Sequence, residues 1–193
     1  MVDQVSLSLH VLAAIGLVGG AVAQVMVGMR LRAATTTLSI ATWAGFARSL
    51  GTLVLVSGVV SMLTGGHLAG AVWSTEEVSG FARPWITLGL VGLVLAGAVW
   101  GLGATRLRRL VDKAHGDDPA ARSPGDARSR AARLAVDVRS SALWGPVHGL
   151  VGIGVGLVWI MTTKPDDWLA TAVVLVGSLV LGWIAGLLVS TRA

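Results

Sequence analysis

Three of the four histidines, His10, His67 and His148, stand within or beside long apolar runs, where an imidazole is costly unless it has a partner or a task. His10 falls in the outer third of the first run, and His67 follows Thr64-Gly65-Gly66 at the end of the second. Adjacent antiparallel helices would bring the two within reach of each other, with Asp3, Glu76 and Glu77 nearby. Imidazole and carboxylate suit a divalent metal, and Met62 adds a soft ligand if the metal is copper. A metal or haem held by His10 and His67 is therefore one expectation. The plainer one is an interfacial His10 bonded to a neighbouring helix and a solvated His67, since the chain has no H-x-x-x-H or M-x-x-M run.

His148 sits two residues past Pro146, in the inner third of its run, where the proline can free a carbonyl. At about 1.5 Å per residue across a core of about 30 Å, the depths of His10 and His148 differ by roughly 15–17 Å. Two axial ligands of one haem lie only about 4 Å apart. A haem shared by His10 and His148 is not expected, and His115 belongs to a loop. Arg48 falls at a depth close to His148. It reads either as a side chain snorkelling to the cytoplasmic interface or as part of a pocket of Arg48, His148 and Trp144 for a lipid headgroup or a quinone. Gln24 reads as an interhelical hydrogen bonder.

Catalytic signatures are missing. There is no G-x-S-x-G, no G-x-x-x-x-G-K-[ST] and no H-E-x-x-H. With no Cys, disulfides, thiolate metal sites and cysteine nucleophiles are excluded. No Asp or Glu lies within an apolar run, which argues against proton-driven transport through an intramembrane carboxylate.

The elements that must carry these side chains follow from hydropathy. Hydrophobic residues make up 54% of the 193 and charged ones 13%, with a mean hydropathy of +0.77. Soluble domains carry about 25% charge. Five runs approach the roughly 20 apolar residues a bilayer requires: Val5–Met29, Trp43–Leu63, Trp85–Thr105, Leu143–Thr162 and Trp168–Ser190, with an interfacial turn over Ala34–Thr42. Helix is the expected conformation, because strand edges would strand polar groups in hydrocarbon. The fold class expected is an all-α integral membrane bundle of five transmembrane helices, one domain over 1–193. The first run lacks a basic n-region and a small-residue cleavage pattern, so it is expected to be retained.

Charge sets the orientation. Arg30, Arg32, Arg48, Arg106, Arg108, Arg109, Lys113, Arg122, Arg128, Arg130, Arg133, Arg139 and Arg192 fall on one side and only Arg83 and Lys164 on the other, thirteen of the 15 basic residues against two. The rule that cytoplasmic loops are basic puts the N-terminus outside and the C-terminus in the cytoplasm. The pI near 11.3 thus reflects loops facing a membrane, and no nucleic-acid partner is expected. The outer segments hold Asp3, Glu76, Glu77, Asp166 and Asp167 against two bases. Trp73, Trp85 and Trp168 fall near the outer boundary and Trp43 and Trp144 near the inner, where indoles are favoured. Eight Trp, 26 Gly and no Tyr suggest a GC-rich bacterial genome, hence a bacterial plasma membrane.

The connector 106–140 has a turn-rich middle from His115 and then a helix over Asp126–Arg139. Ala127, Ala131, Leu134 and Val138 share its face, with Asp126–Arg130 and Arg133–Asp137 as i,i+4 pairs. The connector reads as a solvated or interfacial extension, or as a docking surface for a partner or for anionic lipid. Glycines recur four apart at Gly16/Gly20, Gly97/Gly101, Gly145/Gly149, Gly152/Gly156 and Gly182/Gly186, which lets backbones approach closely. A tight bundle with little room for a large cavity is expected, or else contacts with other membrane subunits.

The run Leu9-His10-Val11-Leu12-Ala13-Ala14-Ile15-Gly16-Leu17-Val18-Gly19-Gly20, the basic first loop, the Thr64-Gly65 pair and the basic cluster Arg106-Leu107-Arg108-Arg109 resemble a family of uncharacterised bacterial multi-pass membrane proteins. The opening run is also similar to the copper resistance protein D group, a resemblance that implies copper handling. The function expected from the residues themselves is a non-catalytic accessory subunit of a larger membrane complex. The alternatives are an outer-face haem or copper protein using His10 and His67, and a small-solute or lipid permease.

Overall fold

Apolar runs of this length can satisfy their backbone groups away from water only as helix, and helix is what they form. The computed structural model describes residues 1–115 and 124–191. In chain order the elements are α1 (Val2–Ala33), α2 (Thr37–Ala71), a 3-10 turn (Gly80–Ala82), α3 (Pro84–His115), α4 (Pro124–Val138), α5 (Ser141–Thr163) and α6 (Trp168–Thr191). No strand occurs among the described residues. Every long helix is apolar enough to cross a membrane: α1, α2, α3, α5 with the end of α4, and α6.

The helices outrun the apolar spans, because capping and not hydropathy sets their ends. α2 begins at Thr37, six residues before Trp43, since Thr36 and Ser39 form a reciprocal capping box. Only Ala34–Thr36 remains of the expected interfacial turn. α5 closes on Lys164 in the left-handed region (φ 48°, ψ 55°), and Pro165 prevents continuation.

Glycine gaps set the packing, and much of what fills them is indole. A Cβ on Gly51 of α2 would collide with the Trp100 ring of α3, one on Gly28 of α1 with the Trp144 ring of α5, and one on Gly145 or Gly149 of α5 with Trp183 of α6. α5 and α6 approach closest of all. A Cβ on Gly152, Gly182 or Gly186 would run into backbone of the partner helix, at the carbonyls of Ser178, His148 and Trp144 respectively. Gly16 and Gly20 admit Ser57 and Val54 of α2, whereas Gly97 and Gly101 face open space. The apolar stretch of α6 is only 11% buried, so its long outer face is left uncovered.

α4 docks Leu134 and Val138 into the core, the face expected from their spacing. Asp137 pairs across to Lys113 Nζ of α3 at 2.6 Å, in place of the expected partner Arg133. The side chains of the expected Asp126–Arg130 pair and the whole of the 116–123 segment lie outside what the structure describes. The bundle thus has a connector end, which carries α4, and an opposite, N-terminal end.

Candidate functional site: a cavity at the N-terminal end

α1 and α5 touch where Trp144 fills the Gly28 gap and again where Leu17 reaches Gly154. Toward the N-terminus of α1 from Leu17, a cavity of about 670 Å³ opens between α1, α2, α3 and α5. The expectation of a bundle without a large cavity is therefore corrected at this end. Small residues close helix pairs only where both partners offer a matching surface. Here Gly65 is covered by the His10 ring and Gly89 by Met161, and space is left between four helices beside Ala14 and Gly19. The walls are mainly Leu, Val and Ile, interrupted by His10 and Ser61 on one side and by Thr162 and Lys164 at the end of α5.

His10 is held against α2. Its Nδ1 lies 3.0 Å from the Ser61 carbonyl and 3.2 Å from Thr64 Oγ1, and the absence of a Cβ on Gly65 gives the ring its room. A carbonyl can only accept, so Nδ1 carries a proton, and in the neutral ring Nε2 is then the acceptor. His10 thus lines an apolar chamber with an acceptor nitrogen in a fixed ring.

At the rim Lys164 lies over two indoles, with Arg83 beside one of them. Trp73 and Trp85 meet edge to face with centroids 5.0 Å apart. Lys164 Nζ stands 4.5 Å from the Trp73 centroid and 5.5 Å from that of Trp85, and Arg83 Cζ lies 5.5 Å from Trp73. Such cation–π contacts hold charge at an apolar mouth. The loop carrying Trp73 is pinned by Ser74, whose Oγ donates to the Ala69 carbonyl and accepts from Gly80 N at 2.8 Å. Gly80 is required there, because a Cβ would strike the Ala69 carbonyl.

His67 occupies a different level. Its Nε2 lies 3.0 Å from Asp3 Oδ1 at an exposed position. Asp3 precedes His10 by seven residues, about 10 Å along α1. The two histidines expected to share a metal are engaged with separate partners, and Glu76 and Glu77 are exposed. Among the described residues no group of three or more His, Asp or Glu side chains has metal-binding geometry.

At the connector end, a second cavity of about 400 Å³ has His148 and Trp144 in its wall, as expected, but not Arg48. Arg48 is exposed on α2. Its neighbour Ala47 is buried and turns its carbonyl to Gln24 Nε2 at 2.6 Å, so Arg48, about 100° further round the helix, points away. Arg32 and Arg139 take that place. Gln24 is the interhelical bonder expected of it. In the sequence Trp73 and Trp85 read only as boundary indoles, and Arg32 and Lys164 only as loop charges that orient the chain. A partial signal for the rim was Arg83 two residues before Trp85, in the same segment as Trp73.

Comparison with protein-family models, curated proteins and solved structures finds no match to this chain.

Proposed function

We propose that the chain is a non-catalytic accessory subunit of a larger assembly in a bacterial plasma membrane, N-terminus outside, that holds an amphiphilic molecule of the outer leaflet. The observation that carries this reading is the N-terminal cavity, apolar-walled with a fixed acceptor at His10. Its volume lies within the range of about 300–1,000 Å³ of small-molecule sites. The chemistry fits an apolar body with a hydroxyl or similar donor near His10 and a polar head at the Lys164 rim. The split of basic residues along the sequence, thirteen of 15 in alternate connections, supports the orientation.

A second reading, haem carriage, is favoured by one observation: His10 and Met161 both line this cavity. A carbonyl-anchored imidazole and a thioether are a donor pair suited to iron. His10 Nε2 and Met161 Sδ would hold it, and the group would supply one-electron chemistry.

Purification in mild detergent tests these readings together. Solvent extraction with mass analysis is expected to give one amphiphile per chain, lost in Ala14→Trp, which fills the chamber. A Soret band lost in His10→Ala establishes haem instead. A chain that carries neither, and elutes as a bare monomer, contradicts both. Because the chain has no Cys, single introduced cysteines report sidedness cleanly. Labelling from outside is expected at position 76 and not at position 109.

A further inference from the structure

At the connector end, the α1–α6 cleft has the chemistry of a phosphate site. The cavity of about 400 Å³ brings Arg32, Arg139 and His148 to one place, with Met29, Trp144 and Val189 as apolar wall and no carboxylate in the described lining. Arg32 is locked in position. One guanidinium nitrogen donates to the Val189 carbonyl, one of the last turn of α6, and the group lies 5.4 Å from the Trp144 ring centroid. Trp144 is itself fixed, 1% exposed, with Nε1 donating to the Val138 carbonyl at 2.7 Å. Arg139 leaves the end of α4 and is exposed. The nearest acidic residue in sequence, Asp137, is already taken by Lys113. His148 Nδ1 lies 3.2 Å from the Trp144 carbonyl. Nδ1 is therefore the donor, and Nε2 remains able to accept a hydroxyl.

Two arginines from different elements over an apolar wall match a molecule whose anionic head sits at the interface and whose chains run into hydrocarbon. The volume suits a head and glycerol, with the chains lying along α1 past Met29 and Met26, which are 58% and 60% exposed. We propose that this cleft is a binding site for an anionic phospholipid, its phosphodiester on Arg32 and Arg139 and a headgroup hydroxyl on His148 Nε2. The site lies at the opposite end from the N-terminal cavity and does not depend on that cavity being filled. An occupant would tie α6, otherwise packed chiefly on α5, to α1.

Native mass spectrometry of the full chain tests this, with phosphatidylglycerol, phosphatidic acid, phosphatidylcholine and inorganic phosphate as separate probes. One phosphatidylglycerol is expected to stay bound. Arg139→Ala is expected to weaken it about tenfold, from loss of one charge-assisted contact, and Arg139→Lys to restore part of that. His148→Ala is expected to reduce the preference for phosphatidylglycerol over phosphatidic acid, which lacks the hydroxyl. Because Arg139 is exposed, its variant should keep the wild-type melting temperature without lipid, which separates binding from folding. Equal retention of phosphatidylcholine, saturable binding of phosphate alone that displaces the lipid, or unchanged affinity in Arg139→Ala would each overturn the proposal.

Discussion

The α5–α6 pair and the N-terminal cavity use the same residue types to opposite ends. Between α5 and α6, Gly152, Gly182 and Gly186 meet backbone, and the helices close until nothing fits between them. Around the cavity, Gly65 and Gly89 leave room for His10 and for Met161, and four helices stand apart. A small residue in an apolar helix permits close approach but does not compel it. What decides is whether the facing helix offers a matching surface, as Gly182 does to Gly152 and the Trp100 ring does to Gly51, or stands off, as around the cavity.

The largest expected effect falls where backbone meets backbone. Gly182→Leu should lower unfolding stability in detergent by about 3 kcal/mol, the upper part of the overpacking range. Ala14→Trp, a larger insertion into the cavity, should cost under about 1 kcal/mol, because the space is there. Equal costs would erase the contrast between the two regions. Gln24→Leu should cost about 1 kcal/mol through its bond to the Ala47 carbonyl, as buried interhelical hydrogen bonds do. Lys113→Ala removes an exposed pair with Asp137 and should cost about 0.5 kcal/mol, less at high salt. Gly97→Leu should be smallest, within about 0.5 kcal/mol, since a Cβ there meets open space. A large loss at Gly97 in membranes but not in detergent would place a partner helix on that face of α3.

The five long helices were legible because nothing but helix solves the backbone problem in long apolar runs. Their ends were not, because Thr36 and Ser39 decide where α2 starts, and hydropathy does not register caps. The bond of His10 to its neighbouring helix was legible from antiparallel adjacency. Depth alone left Arg48 open between the interface and the His148 pocket, because depth carries no rotation: the burial of Ala47 against α1 turns Arg48 outward. Arg32 was overlooked as a pocket residue because its charge already served to orient the chain. The cavity was invisible because glycine spacing records where helices can approach and not where they diverge.

A crystal structure grown from a lipidic mesophase tests the central claim most directly. The account predicts density for a bound molecule between α1 and α5, beyond Leu17, within hydrogen-bond reach of His10 Nε2. Helices α1 and α5 closed upon each other there, with Val11 and Ile15 packed directly against Val158, would contradict it.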